Sequence, residues 1–376
     1  MEKIVTKSSI IDLFSGVGGF SLGATRAGFS LLGAVDNDTR ALESHSLNFP
    51  NSRHWQTDLS HVKGSDLAEY FGFNKAKISG IIGGPPCQGF SFIGRNDIDD
   101  PRNRLFVHFF RIVAECSPDF FLAENVPGIL TEKSSGIRAE ALSYVEKDYI
   151  ILPHMRLSAS DFGAPTTRTR IFFYGYRRGK LCELTHSDFA PPIDVEKITV
   201  RMALKGLPTK IDPNWQNAAD GWRKIGKICN GYFGYRLHGH IPAGVGETEA
   251  VEKLATDKKV SGCLGTVHSL KLQERYASIA PGKQDAVSKS RRLEEDGFCP
   301  TLRAGTGSDR GSYQAVRPLH PTENRVITPR EAARLQGFPD WFRFHPTKWH
   351  SFRQIGNSVS PILAERILSV IYSAFK

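Results

Sequence analysis

Cys87 is the side chain whose surroundings most directly suggest chemistry. It follows Gly83-Gly84-Pro85-Pro86 and precedes Gln88-Gly89-Phe90-Ser91, so a lone thiol ends the apolar run from Ile78 to Ile82. Each proline fixes φ at about −65° and donates no backbone hydrogen bond, which stops strand pairing and holds the sulfur beyond a sheet edge. Gly83 and Gly84 permit a sharp exit from the strand, and Gly89 and Gly94 leave the following segment free to swing. A thiol displayed in this way is a nucleophile. The alternative is a cysteine packed as a small apolar residue beside a proline turn.

A second group of residues points to a nucleotide-like ligand. A strand from Ser9 to Phe14 runs into Ser15-Gly16-Val17-Gly18-Gly19-Phe20 and then a helix that stops at Gly28, which brings backbone N–H groups and a helix N-terminus to one turn. Ser21 stands where the dinucleotide fingerprint requires a third glycine, so that fingerprint is not met. The strand from Ser30 to Val35 ends at Asp36, about twenty residues after the glycines, where a carboxylate accepts hydrogen bonds from ribose hydroxyls. Asp58, past a further short apolar run, is placed to read an adenine amino group. Together these residues favour an adenosine site, although either aspartate could instead cap a helix.

Alternating elements must hold these groups. Helices are expected from about Asn37 to Asn48, Arg104 to Cys116 and Ile137 to Lys147, between strands at Phe120 to Ala123, Tyr149 to Leu157 and Arg170 to Tyr176. The alternation predicts an α/β fold with a doubly wound, largely parallel sheet, and puts Cys87 at a strand's carboxyl end, where such sheets keep their crevices. From about Lys180 to His320 the composition shifts to scattered glycines, aromatics and bases. A Gly/Ser/Thr loop from Ala304 to Tyr313, with Arg303 before it and Arg310 within it, suits contacts to phosphates and base edges. This is a second, smaller, loop-rich domain.

The totals agree with that division. A chain of 376 residues, 40% apolar and 23% charged, describes a globular protein of two domains. Its formal charge of +10 implies a polyanionic partner. No apolar run approaches the roughly 18 residues that cross a bilayer, and the opening Met-Glu-Lys-Ile-Val lacks a signal-peptide pattern, so a cytoplasmic protein without a membrane partner is expected. Six cysteines, at 87, 116, 182, 229, 263 and 299, form no C-x-x-C pair, which argues against a zinc or redox site.

In order along the chain, Asp12-Leu13-Phe14-Ser15-Gly16-Val17-Gly18-Gly19-Phe20, Pro85-Pro86-Cys87-Gln88, Glu124-Asn125-Val126, Arg168-x-Arg170, Arg330-Glu331-Ala332-Ala333-Arg334-Leu335-Gln336-Gly337-Phe338-Pro339 and Gly356-Asn357-Ser358-Val359 resemble the motifs of the DNA (cytosine-5) methyltransferases. The match covers Ile10 to about Arg170 and Arg325 to about Ile367. The resemblance implies a catalytic and cofactor-binding domain of residues 1–180 and 345–376, with target recognition and a hinge in 181–344. It implies Cys87 as nucleophile, Glu124 as the acid acting at the base, and Arg168 and Arg170 as the pair that holds it. Phe14, Gly16, Gly18, Asp36, Asp58, Leu105, Asn357 and Val359 match positions around S-adenosyl-L-methionine. The implied partner is double-stranded DNA, bound by a monomer with no metal, with the target cytosine flipped from the stack and Arg303 and Arg310 touching the duplex. A protective role in a restriction-modification system is expected. Two positions depart from the pattern: Asp36 stands in place of the usual Glu, and Thr166 in place of the usual Gln before Arg168.

Other readings explain less. A dehydrogenase would need the third glycine and would leave Pro85-Pro86-Cys87 unused, and an inactive DNA reader would not require both Cys87 and Glu124. Transfer RNA is the nearest rival substrate, but that branch of the family has a short recognition region, whereas about 140 residues separate Lys180 from His320 here.

Overall fold

The computed structural model describes residues 8–73, 78–86, 103–212, 215, 221–305 and 316–375; Cys87 and Arg310 lie outside the described residues. The chain runs β1 (Ser9–Leu13), α1 (Gly19–Ala27), β2 (Ser30–Asp36), α2 (Thr39–Asn48), β3 (Arg53–Gln56), α3 (Gly64–Phe71), β4 (Gly80–Gly83), α4 (Arg104–Cys116), β5 (Phe120–Asn125) and α5 (Ser135–Ser143). There follow β6 (Tyr149–Ile151), β7 (Met155–Ser158), β8 (Thr169–Arg177), α6 (Val200–Leu204), β9 (Arg223–Lys224), α7 (Gly231–His238), α8 (Thr248–Asp257), β10 (Lys259–Val260) and α9 (Leu270–Ala277). The chain closes with α10 (Pro329–Gln336), α11 (Lys348–Asn357) and α12 (Pro361–Ser373).

The main sheet has the order β3-β2-β1-β4-β5-β8-β6, with β7 also on β8. Strands β3 to β5 pair in parallel, and β8 is antiparallel to β5, β6 and β7. The expected strand from Tyr149 to Leu157 is thus two pieces on one flank of β8. Pro153, which can donate no ladder bond, falls in the gap.

Successive strand residues face opposite ways, and both faces are buried. Ile10, Leu122, Phe172 and Tyr174 join one apolar cluster with α10 and α12, whereas Ile11, Leu13, Phe121 and Phe173 join another with the phenylalanines of α4. Helix α12 returns to α1 at very short range: a Cβ on Gly23 would lie 2.4 Å from the Ala364 Cβ. The stretch from α6 to α10 contributes Val200, Phe233, Leu254 and Leu293 to the first cluster.

Helix α10 carries the Arg-Glu-Ala-Ala-Arg motif and is buried on every side. Thr328 and Glu331 cap it reciprocally, with Pro329 at its first position. Arg330 donates to the carbonyls of Ser261, Pro339 and Phe342. Arg334 grips both oxygens of Asp340 at 2.8 and 2.7 Å and reaches the Ala203 and Lys205 carbonyls. These side chains are clasps between remote segments. Removing one partner of a buried pair leaves an uncompensated charge. Arg334→Met should therefore destabilise the fold by about 3–5 kcal/mol in denaturant titration; a loss under about 1 kcal/mol, the level of a surface pair, would contradict this role.

Candidate active site

Sheet register brings the expected groups to one edge. Leu13 of β1 pairs with Gly83 of β4, and Gly83 pairs with Ala123 of β5, while antiparallel β8 sets Phe172 opposite Glu124. Phe14, Gly84 and Glu124 consequently stand side by side at the carboxyl ends of adjacent strands, at the point where β1 is flanked by β2 on one side and β4 on the other. A Cβ on Gly84 would lie 3.3 Å from Glu124 Oε2, and Asn125 Nδ2 donates to the Pro85 carbonyl at 3.2 Å. The Glu124-Asn125 pair thereby holds the turn that leads into Cys87.

Glu124 is buried, with Oε1 2.7 Å from Arg170 Nε. Burial pushes the Arg170 guanidinium below its ordinary range, and Glu124 opposes the shift. Arg168 has a different task. Its Nη1 and Nη2 donate to the carbonyls of Leu302 and Asn357 at 3.1 and 3.4 Å, joining β8 to segments 134 and 189 residues away. Burial, then Arg170, push its guanidinium well below the usual value. Thr166 is buried, and its hydroxyl has no hydrogen-bond partner among the described residues, so it lends Arg168 no support. Backbone bonds between Pro165 and Cys299 (2.9 Å) and between Thr167 and Cys299 (3.0 Å) hold that segment instead. Arg303 is exposed, and its backbone crosses α11 where a Cβ on Gly356 would come within 2.5 Å.

The adenosine group also converges. Phe14 takes φ 58°, a left-handed conformation uncommon outside glycine, as the chain leaves β1. Gly16 takes φ 55°, and a Cβ there would meet nothing within 4 Å, so its outer face is open. Gly18 is tied inward, where a Cβ would strike Phe49 and His45 at 2.5 and 2.9 Å. Asp36 accepts from Gly16 N at 2.8 Å and Asp38 N at 2.9 Å, while Asp38 caps α2, which removes the capping alternative for Asp36. Burial raises the Asp36 carboxyl, and its backbone hydrogen bonds oppose that. Pairing of Asp36 with Gln56 in β3 brings Asp58 alongside. Asp58 is exposed and accepts from Ser60 N at 2.9 Å, a bond that lowers its carboxyl. The run before it is not apolar: β3 is the edge strand Arg-His-Trp-Gln, exposed or half-buried throughout. From α4, Arg111 Nη2 donates to the Leu59 and Val62 carbonyls at 3.3 and 2.8 Å and so fastens the Asp58 loop; Leu105 lies half-buried in the first turn of the same helix. Asn357 is exposed, and Val359 is buried with its carbonyl 2.4 Å from where a Gly19 Cβ would stand.

Comparison with known proteins supplies the family. A model of C-5 cytosine-specific DNA methylases matches residues 8–373. The chain belongs to that family. It is 39% identical to the Type II methyltransferase M.XorII of Xanthomonas oryzae pv. oryzae, over 99% of this chain and 86% of the relative, and 35% identical to M1.HphI of Haemophilus parahaemolyticus, over 96% and 86%. A solved E. coli structure described as a DNA modification methyltransferase encoded within a prophage superposes with a TM-score of 0.88 at 53% identity, covering 97% of this chain and 99% of that one. The S. pombe Dnmt2 methyltransferase shares the fold, with a TM-score of 0.62 at 18% identity over 97% and 98%.

The methylase is thus a DNA cytosine-5 methyltransferase that uses S-adenosyl-L-methionine. The open face of Gly16, the half-buried Phe14 and the acids of Asp36 and Asp58 fit the adenosine part of that cofactor. Among the described residues no group of three or more His, Cys, Asp or Glu stands close enough to hold a metal, and no helix is long and apolar enough to cross a membrane.

One element of the methylase site escaped sequence reasoning. Asp12 is fully buried, accepting from Ser21 Oγ at 2.6 Å; Ser21 Oγ lies 3.0 Å from His45 Nε2, and His45 Nδ1 lies 2.8 Å from His54 Nε2. Because the serine proton goes to Asp12, His45 Nε2 donates to Ser21; burial holds the His45 ring well below its ordinary value and so neutral, which leaves Nδ1 to accept from His54 Nε2. The serine in the third-glycine position is therefore a hydrogen-bond relay under the glycine turn. The available signal was a lone Asp in an apolar strand. Burial raises the Asp12 carboxyl from 3.8 to about 7, with the Ser21 bond opposing. Its folded value exceeds its unfolded one, so this contribution to stability is present below about pH 4 and is lost as pH rises through 7. Between pH 5.5 and 8, urea titration should show Asp12→Asn losing less stability than the wild type, by a few kcal/mol; parallel curves would contradict a carboxyl that titrates there.

Proposed function

We propose that this methylase modifies one cytosine within a specific duplex sequence through a covalent adduct to Cys87, as the protective half of a restriction-modification pair. The supporting observation is the Glu124–Arg170 pair placed against Gly84 and Pro85, the residues that lead to Cys87. The Type II methyltransferases named above support the restriction-modification role. Residues 1–180 with 345–376 form the catalytic part in this reading and 181–344 the recognition part, in a cytoplasmic monomer.

Each residue type has a chemical reason. Carbon 5 of cytosine is a weak nucleophile while the ring is aromatic. The Cys87 thiolate forms a bond to carbon 6 as the electron pair of the 5,6 double bond shifts toward carbon 5 and the ring, and Glu124 shares a proton with nitrogen 3, where charge collects. Arg170 fixes the Glu124 carboxyl, and Arg168 holds the rim formed by Leu302 and Asn357. Phe14, Gly16, Gly18, Asp36, Asp58, Leu105, Asn357 and Val359 hold S-adenosyl-L-methionine, which when bound supplies an electrophilic methyl group. Loss of the carbon 5 proton to a base then restores the double bond and expels the Cys87 sulfur. Arg303 contacts the duplex beside the pocket, with Arg310 as a second contact.

Bisulfite sequencing of DNA from cells expressing the protein tests the substrate: a fixed cytosine in a fixed sequence should be protected. Single-turnover kinetics test the residues. Cys87→Ser should abolish methyl transfer while duplex binding persists, and Glu124→Gln should slow it by about two to four orders of magnitude. A serine variant retaining a tenth of the wild-type rate, or methylated transfer RNA without methylated DNA, would overturn the reading.

A further inference from the structure

A cation that gives up water needs a compensating partner, and two half-buried cations beside α11 have none within ion-pair distance among the described residues. Lys348, the first residue of α11, donates only to neutral groups: the Gly265 carbonyl at 2.5 Å and Thr266 Oγ1 at 3.3 Å. Arg317 sets its guanidinium 4.1 Å from the centre of the Phe352 ring, one turn along the same helix. Burial, then Arg317, push the Lys348 ammonium below its ordinary value. Arg325, Arg236 and Arg343, by contrast, are each paired with a carboxylate, of Glu331, Glu365 and Glu247.

The position of the pair suggests what neutralises it. Lys348, Phe352 and Gly356 recur every fourth residue and share one face of α11. Gly356 carries the Arg303–Ala304 backbone, next to the Asn357 carbonyl held by Arg168. At about 1.5 Å per residue, Lys348 lies about 12 Å along the helix from that end. Laid along a duplex that advances about 3.4 Å per phosphate on each strand, this length spans about three to four steps.

We infer that Arg317 and Lys348 form a DNA-phosphate site on α11, about three to four nucleotides from the extruded cytosine, which fixes the register of the duplex without reading its sequence. The inference rests on duplex DNA being the substrate. Affinity for specific and unrelated duplexes, measured across a salt series, tests it. Arg317→Gln and Lys348→Gln should each reduce the slope of log affinity against log salt by about one and weaken both duplexes by the same factor, whereas Arg317→Lys and Lys348→Arg should keep the wild-type slope. Ethylation interference on the wild-type protein is the check that needs no variant: blocking a phosphate about three to four steps from the target should suppress binding. An unchanged slope in folded glutamine variants, a selective loss of specific binding, or interference confined to other phosphates would each overturn the assignment. If the wild type itself binds no duplex in a salt-dependent manner, the DNA reading fails first, and the two failures are distinct.

Discussion

A buried guanidinium must find hydrogen-bond acceptors, and Arg168 finds them only because two distant backbone segments meet at its position. Its bonds to the Leu302 and Asn357 carbonyls require that the segment around Leu302 and the end of α11 both reach the start of β8. Without that meeting, a charge would stand in the interior with no partner, a penalty of several kcal/mol. Arg170 follows two residues on, within β8, so the arrangement that satisfies Arg168 also aims Arg170 at Glu124. The Glu124–Arg170 pair, the Leu302 segment and the C-terminal motif are consequently assembled together.

Small residues make the assembly possible. Gly19 admits the Val359 carbonyl, Gly23 admits α12, and Gly356 admits the backbone of Arg303 and Ala304, each where a Cβ would clash at 2.4 to 2.5 Å. The first two contacts close α1 against α12 and the residues just before it, and the third closes α11 against residues 303–304, so motifs at opposite ends of the chain meet at one glycine turn. Helix α10 completes the frame through Arg330 and Arg334, whose hydrogen bonds end on Ser261, Asp340 and the carbonyls around them. Rigidity of this kind suits a site that must receive a base taken from its stack.

Much of this was legible in the sequence because it follows local rules. Apolar runs ending in glycine or proline located β1, β4 and β5, and the distance from Gly16 marked Asp36 as a ribose acceptor, although its hydrogen bond from Gly16 N was not legible. Helix α11 was not legible: Lys348-Trp349-His350-Ser351-Phe352 lacks a clean apolar period, and its burial depends on Gly356 and on residues about fifty positions earlier. The relay from Asp12 to His54 was hidden for a related reason. Its members are polar residues in four separate elements, β1, α1, α2 and β3, which the parallel pairing of β1, β2 and β3 brings together. The different tasks of Arg168 and Arg170 likewise need the fold, since spacing alone does not separate Arg168, just before β8, from Arg170 within it.

The most direct measurement of the central claim uses a duplex with 5-fluorocytosine at the target position. Fluorine cannot leave carbon 5 as a proton does, so the adduct should persist after methyl transfer. Incubation with S-adenosyl-L-methionine, digestion and mass spectrometry should then find the methylated fluoropyrimidine on the peptide that contains Cys87. An adduct on any other cysteine, or normal methylation of unsubstituted DNA with no adduct trapped by the fluorinated duplex, would contradict the account.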